Sequence, residues 1–73
     1  MELEFVVHGV STEQVPVRAS VAGEEMTVNT HGLVVELVGK DPLHGALTLR
    51  FIKNLDEWKK KLVVDSVVTL KVV

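Results

Sequence analysis

Residues 33–51 read Leu33-Val34-Val35-Glu36-Leu37-Val38-Gly39-Lys40-Asp41-Pro42-Leu43-His44-Gly45-Ala46-Leu47-Thr48-Leu49-Arg50-Phe51. Leu33–Val38 is apolar at every position except Glu36, the pattern of a strand covered on both faces. Gly39-Lys40-Asp41-Pro42 is a turn cluster. After it Leu47, Leu49 and Phe51 alternate with Ala46, Thr48 and Arg50, which is the period of a half-buried strand. Two strands joined by a short turn set the class as a β domain, and something must lie over the second face of Leu33–Val38.

The same alternation extends outward on both sides. Leu3, Phe5 and Val7 oppose Glu2, Glu4 and His8, which predicts a strand over residues 2–8. Val15, Val17, Ala19 and Val21 share a face opposite Pro16, Arg18 and Ser20. Pro16 has no N–H for a ladder, so residues 15–22 read as an edge strand or a strand start. Gly23-Glu24 supplies a tight turn into residues 25–30, where Met26 and Val28 alternate with Thr27 and Asn29, and His31-Gly32 closes that strand. Downstream the period changes. Asn54 and Glu57 form a capping-box-like pair, and Leu55, Trp58 and Leu62 fall on one helical face over residues 54–62. Lys59, Lys60 and Lys61 then occupy the last turn, where cations favour the helix dipole. Val67–Val73 finishes the chain as a strand with Val68, Leu70 and Val72 on one face. The expected fold is all-β and mainly antiparallel: a single domain over residues 1–73, built as a small six-stranded sandwich or partly open barrel with one short helix between the last two strands.

Composition agrees with this class. Sixteen of the 73 residues are valine, a density of β-branched side chains that favours strands. A compact chain of this mass has a folded surface of roughly 4,400 Å², about 62% below its unfolded surface, so the core is thin. No cysteine is present to supplement it with a disulfide or a thiolate metal site, which points to an intracellular protein. The formal charge of −2 lacks the basic excess of a duplex-binding protein. No apolar run reaches membrane-spanning length, and Met1-Glu2-Leu3-Glu4 is not a basic segment followed by an apolar one, so neither a membrane span nor a signal peptide is expected.

Gly45, Leu47, Thr48, Leu49 and Phe51, then Leu62 and Asp65, then Val68, Thr69, Leu70 and Val72 resemble a pattern of small uncharacterised tailed-phage and prophage proteins. In those a Gly-x-Leu-x-Leu strand leads through a polar helix or loop to a terminal Val-Thr-Leu type strand. The resemblance covers residues 45–73, and Asp65 stands where that pattern usually has glycine. It implies an accessory role in the cytoplasm of a bacterial host cell, or association with the virion, and assigns no catalytic or binding residue.

Chemistry-bearing residues are scattered. His8, His31 and His44 each precede a glycine, but a simple meander separates His31 from His44 by roughly 20 Å of strand, so no shared metal site is expected. Ser11, Ser20 and Ser66 sit in no nucleophile elbow, and Glu24/Glu25 and Asp56/Glu57 read as solvated charge, so no enzyme activity, cofactor or small-molecule substrate is expected. Charge is uneven. Residues 1–36 carry −5 (one Arg, six Glu) and residues 37–73 carry +3 (seven basic, four acidic). Arg50, Lys53, Trp58, Lys59, Lys60 and Lys61 therefore form a candidate nucleic-acid patch of an OB-like or SH3-like binder, the alternative reading. The leading one rests on apolar surplus. Val6 and Val10, Val34 and Val38, and Val67 with Val73 point away from the expected core, and Val6, Val34, Val38 and Val67 are the candidate interaction face for a second copy or a larger protein.

Overall fold

The computed structural model describes residues 1–73. Two long strands dominate it. β1 (Glu2–Val21) and β2 (Glu24–Gly39) form an antiparallel hairpin, flanked by β3 (Ala46–Phe51) and β4 (Val67–Lys71) in the order β3-β2-β1-β4. A single helical turn of 3₁₀ type, Pro42–His44, joins β2 to β3, and α1 (Leu55–Lys61) joins β3 to β4. All pairings are antiparallel.

The antiparallel β class and the helix between the last two strands are as the sequence indicates. The six strands, and the sandwich or barrel they were to build, are not found: the sheet has four strands and is open. Two of the expected breaks are strand interior. At His8-Gly9 the chain inserts a β-bulge, the register stepping from Val7↔Leu37 to Gly9↔Glu36, and β1 continues. At His31-Gly32 the strand runs straight on, because Gly32 is there for space and not for a turn. A Cβ on Gly32 would collide with Val15 Cγ2 and sit 3.1 Å from the Phe51 carbonyl oxygen. The hairpin turn is Ala22-Gly23, with φ of 52° and 82°, the positive values a type I′ turn requires at both central residues.

β3 pairs only with Leu33–Val38 and β4 only with Glu2–Val6. The chain therefore has two parts. The four-stranded body carries the core, in which Phe5, Val7, Leu33, Val35, Leu37 and Leu62 are buried. Beyond it the paired segments 13–21 and 24–32 project as a two-stranded arm, roughly 26 Å long at about 3.3 Å per residue. The molecule measures 46 × 26 × 16 Å.

α1 crosses one face of the body. Leu62 is buried in the core, and Leu55 and Trp58 pack against it, the face read from their spacing. Full burial of one such leucine is worth about 2 kcal/mol. The cap differs from expectation. Asn54 adopts the left-handed conformation (φ 55°) and its side chain makes no capping bond, so the helix is anchored by packing and by the Trp58 N–H donating to the Asn54 carbonyl. At the other end, the Leu62 N–H donates to the Trp58 carbonyl at 2.8 Å.

Candidate functional site

Register and alternation assign each side chain to a face. Leu33, Val35 and Leu37 point to the α1 side, so Gly32, Val34, Glu36 and Val38 point to the other. Val34 pairs with Arg50, Val38 with Val6, and Val6 with Val67. The four valines singled out in the sequence, Val6, Val34, Val38 and Val67, thus share the helix-free face of the sheet. Val38 and Val67 are 44% and 53% exposed, Val6 is half-buried and Val34 is buried. Val10 does not join them. The bulge turns it to the α1 side, where it pairs with Val35 and packs against the core. Val73 lies beyond β4.

The bulge has a larger effect further on. Because it adds one residue to β1, odd-numbered residues before it face the core while odd-numbered residues after it face away. Val15, Val17, Ala19 and Val21, read from the sequence as a core face, therefore stand on the helix-free side. Their partners across the arm are Thr30, Val28, Met26 and Glu24. Val15 is buried where it drops over Gly32, and Val21, Met26 and Val28 are 52%, 45% and 43% exposed. The opposite side of the arm is polar: Gln14 pairs with His31, Pro16 with Asn29, Arg18 with Thr27 and Ser20 with Glu25. One arm face is thus apolar and carries no covering layer. Sequence reasoning missed it because a bulge has no signature in alternation beyond one unexplained residue, here His8.

The basic patch is divided. Arg50, opposite Val34, belongs to the helix-free face, whereas Lys59, Lys60 and Lys61 ride on α1 across the other. Lys53 lies between them in the β3–α1 connection. Trp58 is engaged within the molecule. Its ring stacks on Phe51 with centroids 4.6 Å apart at 20°, and Lys61 Nζ lies 5.4 Å over it. A single-strand binder needs an indole open to a base, and here the indole is engaged by Phe51 and Lys61 of its own chain.

The histidines occupy three separate places. His8 is the exposed bulge residue, His31 sits at the arm base with Nδ1 3.4 Å from Gln14 Nε2, and His44 lies in the 3₁₀ turn with its ring 6.2 Å from that of Phe5. An open cavity of about 410 Å³ beside His44 is lined by Glu2, Glu4, Lys40, Asp41 and His44. There Lys40 pairs with Glu4 at 3.3 Å with both side chains exposed, and Asp41 Oδ1 accepts the Leu43 N–H. Nδ1 of His44 is shielded from solvent and bonded to no protein group. No set of three or more His, Asp or Glu is gathered in a metal-binding arrangement. No helix is long and apolar enough to cross a membrane.

No family model, curated protein or solved structure matches the chain, and nothing in these comparisons points to a phage origin for the pattern at residues 45–73.

Proposed function

We propose that the protein is a non-catalytic assembly module whose partner is a second copy of itself, docked on the helix-free face. One observation carries this: an extended arm with an apolar face and no second layer. A two-stranded ribbon alone in water is marginal, and stable architectures pack an apolar sheet face against another layer. β1 and β2 nevertheless continue nine residue pairs, Glu13↔Gly32 to Val21↔Glu24, past the last strand that supports them.

Surface area supports the same reading. The chain exposes 5637 Å². That exceeds the compact-monomer expectation by about 1,200 Å². Its radius of gyration is 14.7 Å. A compact chain of this length has about 11 Å. Standard interfaces remove about 800 Å² per partner, so the excess is of the size an interface would cover. Two such faces packed together form a sandwich across the subunit boundary, with the layer spacing of about 10 Å usual for stacked sheets. An accessory role of the tailed-phage kind would suit such a module, on the resemblance at residues 45–73 alone.

The test is sedimentation equilibrium of the full chain, with Val28→Glu as the variant. The wild type is expected to associate and the variant to sediment as a folded monomer, since Val28 lies outside the core cluster. A wild-type chain that stays monomeric at millimolar concentration overturns the proposal.

A further inference from the structure

Beyond the face contact, we infer that a second copy also joins the open outer edge of β2, strand to strand and antiparallel about Thr27, so that the sheet runs on across the subunit boundary. The phase of hydrogen bonding along β2 identifies the free groups. The Gly39 N–H donates to the Gly45 carbonyl on the β3 side. The bulge lies in β1, so β2 keeps one phase throughout, and its odd-numbered residues turn their N–H and C=O groups away from β1. Those of Leu33, Val35 and Leu37 meet β3, whereas those of Glu25, Thr27, Asn29 and His31 have no strand beside them.

Every other edge of the sheet is defended against strand addition. By the same phase Pro16, opposite Asn29, faces the outer edge of β1, where its missing N–H interrupts a ladder, and Arg18 follows two residues on. The outer strands β3 and β4 are only six and five residues long and carry Arg50 and Lys71. Residues 24–32 of β2 hold no lysine, arginine or proline, and their two carboxylates sit at the tip.

A second copy of this edge fits it. With Thr27 opposite Thr27, Met26 falls opposite Val28 and Glu25 opposite Asn29, each twice, and the odd-numbered residues exchange about six hydrogen bonds. The dyad stands perpendicular to the sheet, so both helix-free faces lie on the same side, and Met26 and Val28 carry the apolar surface of one arm into the other. Centred on Val28 instead, Gly23 of the copy would meet Phe51, which already pairs with Leu33; centred nearer the tip, the ladder shortens. Like charges stay apart. Glu24 falls opposite Thr30, and Glu13 of the other copy, on the same face opposite Gly32, is two strands over and two residues along, roughly 12 Å away at strand spacing. Two such pairs set face to face close a four-chain sandwich.

The experiment is sedimentation equilibrium of the full chain, wild type against Thr27→Pro, with circular dichroism confirming that both are folded. Thr27 is turned away from β1, so proline there leaves the hairpin ladder whole, as Pro16 does, and removes only an outward N–H. Wild type is expected to reach four chains and Thr27→Pro to stop at the face-to-face pair, with the further step weakened about tenfold or more. Val28→Glu, opposite Met26 across the edge, weakens both contacts. The chain has no cysteine, and Thr27→Cys is expected to give a disulfide-linked dimer on mild oxidation, since directly opposed Cα atoms lie about 5.5 Å apart. Arg18→Cys, on the neighbouring strand, is expected to stay unlinked. A face-to-face pair keeps Thr27 on its outer, polar side and gives no such link. A wild type that stops at two chains, is indifferent to Thr27→Pro and yields no Thr27→Cys link overturns the edge pairing and leaves the face contact standing. A two-chain wild type that Thr27→Pro turns monomeric supports the edge and overturns the face. A monomeric wild type removes both.

Discussion

Gly32 shows how one missing side chain shapes this molecule. Val15 Cγ2 occupies the space a Cβ would need, and the Phe51 carbonyl oxygen closes the other side. Both neighbours sit on paired strands, so neither can move far without breaking a ladder. Gly32→Ala is accordingly expected to destabilise the fold by about 1–3 kcal/mol, the usual cost of forcing a methyl group into a filled space. For a chain this short, that is a fall in melting temperature on the order of 5–20 °C by differential scanning calorimetry. Adding Val15→Ala should recover part of the loss by vacating the contested volume. A single variant as stable as wild type would mean that the arm base can shift, and with it the packing of Val15. Nothing about residue type alone distinguishes this glycine from one that ends a strand. His31-Gly32 looks like a stop in the sequence because glycine is read first as a turn former, and only the strand lying across from it reveals the steric role.

At the level of elements, most strand positions were legible because alternation survives any topology. Ala46–Phe51 and the helix resting on Leu55, Trp58 and Leu62 emerge directly from their periods. Strand continuity was not legible. A bulge resets the phase of β1, so Leu3, Phe5 and Val7 appear in step with Val15, Val17 and Val21 although the two sets stand on opposite faces. The four valines of the candidate face were legible because Leu33–Val38 is apolar on both sides, which no single core can absorb. The arm beyond them was hidden by the bulge. Its independence is testable, since none of the six clustered core residues lies between Gln14 and His31. Replacing residues 14–31 with Asn-Gly, which favours a two-residue type I′ turn, should leave a cooperatively folding body and abolish self-association. The Trp58 stack on Phe51 supplies the readout of the body's fold, through fluorescence that shifts when α1 undocks. A shortened chain that still dimerises would move the interface to Val6, Val38 and Val67; one that no longer folds would make the arm part of the folding unit.

For the molecule as a whole, shape ties fold to function. A thin core holds the body together, and a chain with nine buried residues has little stability to spare for ordering an unlayered ribbon. Association that covers the ribbon should raise stability by mass action, so the melting temperature is expected to climb with protein concentration and the arm amides to gain protection from hydrogen exchange in parallel. Shape then separates the possible dimers. Each copy is 46 Å long. Arms overlapping antiparallel along their roughly 26 Å give a rod of about 66 Å with a body at each end. Packing body on body with the arms pointing outward gives a rod of more than about 70 Å, and a parallel side-by-side pair stays near the length of one copy. Small-angle scattering measured across the concentration range where sedimentation detects association is expected to give a maximum dimension, corrected for side chains and hydration, at the middle of these values. A dimension above about 70 Å would place the valine-covered arm outside the contact and leave its apolar face without the layer it needs, and one near that of a single copy would mean parallel arms.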